Sequence, residues 1–159
     1  MALRNVEDAA AQHAHLEVRG DAETGGVEAQ TSDEGDGGVT EHREADVVVV
    51  AFGTPGAYVR SAVRSLRSDG VRVGWIRPVT LVPFPSEVIA AAARNAKVVA
   101  VYENNAGQML DDVRLSVLGD APVAFIGGLS LDASGFGIAP DLQVSVLRRR
   151  ILDVAERHR

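Results

Sequence analysis

The stretch Asp46-Val47-Val48-Val49-Val50-Ala51-Phe52 limits what this chain can become more than any other. Four consecutive valines leave a strand no polar face, so the strand must be covered on both sides. Gly53-Thr54-Pro55 follows at once, a turn in which Thr54 is predicted to cap a helix that Pro55 opens. Val59, Val63 and Leu66 then fall on one helical stripe running to about Ser68, and Asp69-Gly70 ends it. A buried strand feeding an amphipathic helix is the repeating unit of a parallel sheet held between helical layers.

The same alternation continues to the end of the chain. Val71–Ile76 reads as a second strand, and Arg77–Pro85 (RPVTLVPFP), with three prolines, excludes both a regular helix and a central strand. Ser86 is predicted to cap a helix to about Asn95, Lys97–Tyr102 is a third strand, and Glu103–Ala106 is its exit loop. A helix over Gly107–Leu118, a strand over Pro122–Ile126, a Gly-rich surface loop over Gly127–Gly137 and a helix from about Pro140 to Arg157 complete the reading. The expected fold is α/β, a three-layer α/β/α domain with a mostly parallel sheet over residues 45–159. In such sheets the functional crevice lies beyond the carboxyl ends of the strands. Those ends carry Gly53-Thr54, Arg77-Pro78, Glu103-Asn104-Asn105 and Gly127-Gly128, so one edge gathers the most distinctive polar residues.

The text before Ala45 differs. Leu3, Val6, Ala10 and His13 have helix-like spacing, which gives a short helix or arm over residues 1–19. Residues 20–44 (GDAETGGVEAQTSDEGDGGVTEHRE) have almost nothing to bury against the entropy of ordering them, and read as an acidic disordered linker. Residues 1–45 hold eleven acids against three arginines, a net of −8; residues 46–159 hold eleven acids against thirteen bases, a net of +2. No stretch of sequence offers the basic face that a phosphate backbone needs, so no nucleic-acid partner is expected. No apolar run approaches the roughly 20 residues that cross a bilayer; no membrane association is expected, and cytoplasm is the default compartment.

The chain has no cysteine, which removes disulfides, thiolate metal sites and cysteine-held iron–sulfur clusters together. His13, His15 and His42 lie before the domain and His158 near its end, with no third ligand placed to close a metal site. Usual nucleophile and acid–base candidates are therefore nearly absent. Glu103 is the one carboxylate expected at a strand end beside a helix start; it suits loop N–H groups or an arginine as well as catalysis. Arg77 suits an interface ion pair as well as a ligand. Gly53-Thr54-Pro55-Gly56 could hold an anion at a helix N-terminus, but it lacks the spacing of a dinucleotide or phosphate loop, and capping explains it.

Taken in order, Val50-Ala51-Phe52-Gly53-Thr54, Ile76-Arg77-Pro78-Val79-Thr80-Leu81, Pro83-Phe84-Pro85, Glu103-Asn104-Asn105-Ala106-Gly107-Gln108-Met109 and Asp112-Val113-Arg114 resemble one family. It is domain II of the alpha subunit of 2-oxoacid:ferredoxin oxidoreductases, nearest in kind to the 2-oxoisovalerate and 2-oxoglutarate types. A looser resemblance to the transketolase C-terminal domain runs to the end of the chain. The resemblance implies a sheet with at most one reversed edge strand. It also implies a complex in which thiamine diphosphate with Mg2+ decarboxylates a 2-oxoacid, iron–sulfur clusters pass electrons to ferredoxin, and coenzyme A takes the acyl group. In that family the diphosphate site belongs to the beta subunit and the pyrimidine-side domain precedes this one.

Gly35-Asp36-Gly37-Gly38 resembles the motif that opens the diphosphate–magnesium site of thiamine enzymes. It sits in acidic linker without a preceding strand, and the next asparagine is Asn95, so it is set aside. The expectation is thus an assembly domain, from a split or truncated alpha subunit, that binds no cofactor and catalyses nothing alone. Its partners would be the beta subunit and the remaining alpha-type domain in a hetero-oligomer, with ferredoxin met indirectly. Gly53, Thr54, Arg77, Glu103, Asn104 and Gln108 would form the partner-facing edge. The alternative is a small module that binds an anionic small molecule at that edge.

Overall fold

The computed structural model describes residues 27–30, 45–131, 137–138 and 142–159. In chain order the elements are β1 (Val27–Gln30), β2 (Val47–Val50), α1 (Gly53–Ser68), β3 (Val73–Pro78), α2 (Ser86–Ala93), β4 (Val98–Val101), α3 (Leu110–Val117), β5 (Val123–Phe125), β6 (Ser130–Leu131), β7 (Gly137–Ile138) and α4 (Val144–Arg157). Five strands form one sheet in the order β1-β3-β2-β4-β5. β3, β2, β4 and β5 run parallel, and β1 lies antiparallel on β3 at the edge.

Successive side chains of a strand point to opposite faces, and that splits the valine run between two cores. Val47, Val49 and Ala51 pack with Val59, Val63 and Leu66 of α1 and with Leu147, Ile151 and Val154 of α4. Val48 and Val50 pack with Ile89 and Ala93 of α2 and with Val113 and Val117 of α3. Each valine so buried contributes roughly 1.5 kcal/mol or more over an exposed one. The three-layer α/β/α arrangement expected from the sequence is the one observed.

Opposite edges of the sheet are built differently. At the amino ends of the parallel strands, Asp46 pairs with Arg72 at 3.2 Å and Lys97 at 3.3 Å, and its carbonyl accepts the Lys97 N–H. That pins the starts of β2, β3 and β4 together. On the α1–α4 side, Arg148 bonds Ser65 and the Asp69 carboxylate, locking the two helices.

Several local expectations are corrected. Thr54 caps nothing: Phe52 is the N-cap residue, in extended backbone, and no side chain bonds the first turn of α1. Ser86 is likewise the first helical residue after Pro85 and makes no cap bond. β3 takes in Arg77 and Pro78, although a proline there argued against a strand. The reason is that β2 pairs β3 only as far as Ile76, so beyond it β3 has β1 alone as a neighbour. The helix expected from Gly107 starts at Leu110, because Asn105 folds the preceding residues into a turn. The Gly127–Gly137 segment contains a two-stranded pairing, β6 with β7. Val27–Gln30, placed in the linker from composition, is a sheet strand. The other residues of 20–44, with residues 1–19, lie outside the described residues.

Candidate functional site

The chain leaves β2 through α1 to reach β3 on one side, then returns past β2 through α2 to β4 on the other. The carboxyl ends of β2 and β4 therefore diverge, the topological switch point at which open α/β sheets form a crevice. A cleft of about 500 Å³ opens there, lined by Phe52, Gly53, Thr54, Glu103, Asn104 and Gln108 among others. Five of the six sequence-derived edge residues line it. Arg77 stands behind it: its Nε donates to the Gly53 carbonyl at 3.0 Å and its stem packs under Gly56.

Glu103 is 7% exposed, and both its oxygens are committed inside the chain. Oε2 accepts the Met109 N–H at 2.8 Å and Oε1 the Leu110 N–H at 3.0 Å. The carboxylate thus satisfies orphan donors at the start of α3 and places a negative charge at the positive end of its dipole. Of the roles open to Glu103 from sequence, bonding loop N–H groups is the one it fills. Two residues on, the Asn105 side-chain oxygen accepts the N–H groups of Gly107 at 2.7 Å and Gln108 at 3.3 Å. Asn104 has no such duty; its Oδ1 is buried without a hydrogen-bond partner.

Sequence reasoning passed over Tyr102 and Arg150. Tyr102, next after β4, is 1% exposed, and its hydroxyl is buried without a partner. Burial pushes the phenol above the ordinary tyrosine range, against an opposing pull from the Arg150 guanidinium. Arg150 donates to the Ile126 carbonyl at 2.6 Å and so ties α4 to the exit of β5. Position directly after a buried strand could have flagged Tyr102. Nothing local marks Arg150, because its acceptor is far away in sequence.

A family model described as pyruvate:ferredoxin oxidoreductase core domain II matches residues 45–133, more than half of the chain. The chain belongs to that family. A ketoisovalerate oxidoreductase subunit VorB from Methanothermobacter marburgensis is 40% identical over 73 residues, which is 46% of this chain and 21% of the relative. A 2-oxoglutarate synthase subunit KorA from the same organism is 39% identical over 83 residues, 52% of this chain and 22% of the relative. The chain thus spans about a fifth of the length of these curated relatives. Among solved structures, a 2-oxoglutarate:ferredoxin oxidoreductase from Magnetococcus marinus superposes with a TM-score of 0.51 at 25% identity, covering 79% of this chain and 19% of that one. A split-gene transketolase, described as an inactive beta4 tetramer, gives 0.58 at 21% identity over 72% of this chain and 39% of its own, a likeness of fold.

The core domain II chain offers a poor donor set for the cofactors its resemblance implies. It has no thiolate for an iron–sulfur cluster. Among the described residues no three His, Cys, Asp or Glu side chains converge as a metal site. The buried carboxylate of the cleft, Glu103, already serves two backbone N–H groups. No helix among the described residues is long and apolar enough to cross a membrane.

Proposed function

We propose that this chain is an assembly domain of a thiamine-diphosphate-dependent 2-oxoacid:ferredoxin oxidoreductase, which oxidatively decarboxylates a 2-oxoacid to an acyl-CoA. The observation that carries the reading is the commitment of Glu103. An edge built of amides and apolar side chains, with its buried carboxylate spent on capping a helix, is suited to recognition rather than to proton transfer. Gly53, Thr54, Asn104 and Gln108 are the surface a partner would read, and Arg77 and Glu103 are the framework that holds that surface in place. The partners are a beta-type subunit and the pyrimidine-side domain of an alpha-type subunit. Cofactors carry the hard chemistry in this class, so the chain contributes position and contact.

Reconstitution tests this. The purified chain should bind no thiamine diphosphate by calorimetry and reduce no ferredoxin with any 2-oxoacid. Activity should appear when the beta-type and remaining alpha-type chains are added, and Asn104→Ala or Gln108→Ala should weaken that complex. Micromolar thiamine diphosphate binding by the chain alone would overturn the reading. The competing reading, an anionic small molecule held at the same edge, requires that Asn104→Ala abolish binding of an inorganic or organic phosphate in the same calorimeter.

A further inference from the structure

Strand β5 ends the sheet, and its bonds to β4 fix which of its main-chain groups are left over. The Val99 N–H donates to the Pro122 carbonyl and the Ile126 N–H to the Val101 carbonyl, each at 2.9 Å. Main-chain groups alternate in direction along a strand. Those of Ala124 therefore also face β4, and those of Val123 and Phe125 point outward. No strand of the described residues pairs with that edge. Sheet edges are ordinarily blunted by charge or by proline. This one is neither: residues 121–130 hold no charged side chain, and Pro122 turns its main-chain groups toward β4. Helix α3 overlooks the same edge. Val113 and Val117 belong to the core against which Val123 and Phe125 pack, whereas Leu115 and Leu118 are 67% and 81% exposed. At 100° per residue Leu118 lies on the flank of α3 opposite buried Ser116, away from α2 and over β5. Its backbone is left-handed, with φ 47°, where asparagine or glycine would sit at less cost.

We propose that this edge joins a second copy of the chain, β5 against β5 antiparallel, about a two-fold axis through Ala124. The proposal goes beyond the assembly reading and does not depend on it, since the cleft lies between β2 and β4 and none of these residues lines it. In that register each Val123 stands opposite the copy's Phe125, and the outward N–H and C=O groups of the two satisfy one another. An isologous contact brings every residue near the axis against its own copy, so like charges there would repel. Ala124 at the axis is small, the strand is uncharged, and Arg114 on the same flank of α3 is already paired with Asp111 at 3.1 Å. The helices fit as well. Helix α3 covers β4 and β5, so two strand spacings, about 10 Å, separate it from its copy. Helices pack at about that distance, and Leu118 stands on the flank that would fill the gap. Three residues of strand make a small interface, so the dimer is weak, with a dissociation constant on the order of 10 µM.

The test follows the full chain by sedimentation equilibrium from low micromolar to submillimolar concentration, with amide exchange resolved by nuclear magnetic resonance at both ends of the range. A monomer–dimer equilibrium should appear. The Val123 and Phe125 amides should exchange about tenfold more slowly in the concentrated sample, and the Ala124 amide, which faces β4, should change less. Leu118→Asn should weaken the dimer about tenfold or more. The dilute variant should melt no lower than the parent, because asparagine suits the left-handed backbone. A chain that stays monomeric throughout would overturn the proposal. A dimer that leaves Val123 and Phe125 unprotected, or that is undiminished by Leu118→Asn, would overturn it in favour of an interface elsewhere.

Discussion

Gly127 lies so close to Glu103 that a Cβ on the glycine would stand 2.0 Å from the Glu103 carbonyl oxygen and 2.5 Å from its nitrogen. The next residue, Gly128, donates its N–H to that same carbonyl at 2.9 Å. The exit of β5 therefore grips the backbone of Glu103 while the Glu103 side chain grips the start of α3. Three elements meet on one residue, and the cleft wall is the result.

Gly127→Ala should consequently do more than crowd a loop. Backbone atoms are the obstacle, and they cannot rotate away as a side chain could. Overpacking of this kind costs about 1–3 kcal/mol, which should appear as a fall of several degrees in the thermal midpoint. Amide exchange at Met109 and Leu110 should quicken as well, because displacing Glu103 loosens its hold on them. A variant that melts like the parent chain would show that the loop gives way freely.

Glu103→Ala tests the side-chain half of that junction. Two buried N–H groups lose a charged acceptor, and an unsatisfied buried donor costs about 1–3 kcal/mol. Glu103→Gln should fall between, since its carbonyl oxygen can serve one N–H while its amide faces the other. Thermal melting ranks the three proteins. A pure interface residue would leave the isolated chain's melting unchanged, so an unaffected Glu103→Ala variant would refute the capping role.

How far the sequence reached depends on the range of the interactions involved. Val47–Val50 announced a doubly covered strand because burial on both faces acts through each residue's own side chain. The gathering of Gly53, Thr54, Glu103 and Asn104 followed from parallel topology, which puts every carboxyl end on one edge, whereas Gln108 joined them only through the family resemblance. Thr54 and Ser86 misled because capping residues do well at several positions near a helix start, and Phe52 and Pro85 take the cap positions here. Val27–Gln30 was hidden by its acidic surroundings; its place in the sheet comes from pairing with β3, a partner more than forty residues away. A shorter separation, 24 residues in each case, likewise concealed the bond from Arg150 to Ile126 and the contact between Gly127 and Glu103.

Tyr102 should give the chain a distinctive alkaline response. Its folded-state pKa is raised, chiefly by burial, so the folded protein holds the phenolic proton more tightly than the unfolded chain. The stability linked to it is fully present below the unfolded value of about 10 and is lost as pH rises above that value through the raised folded pKa. Absorbance at 295 nm should therefore show one tyrosine ionising together with loss of far-ultraviolet dichroism. Tyr102→Phe should remove that step. A Tyr102 signal complete at pH 10 with the fold intact would contradict the burial argument.

Arg77 and Gly56 offer the sharpest test of how the cleft edge is held. A Cβ on Gly56 would lie 2.7 Å from the Arg77 Cγ, from its Cδ and from the Ala51 carbonyl oxygen. Helix α1 can approach β3 this closely only because residue 56 has no side chain, and that approach lets Arg77 Nε reach the Gly53 carbonyl at 3.0 Å. Gly56→Ala should therefore destabilise the chain in spite of alanine's better helix propensity, which is worth roughly 1 kcal/mol in the opposite direction. Arg77→Ala removes two of the three obstructing atoms. In that background Gly56→Ala should cost less, giving a coupling energy of about 0.5–3 kcal/mol for residues in direct contact. Rescue should stay incomplete, because the Ala51 carbonyl remains where it was. Denaturant melts of the parent, both single variants and the double variant measure the coupling. Strict additivity would mean that Arg77 does not set the height of α1 above the sheet, and that the Gly53-Thr54 corner of the cleft is positioned by Ala51 alone.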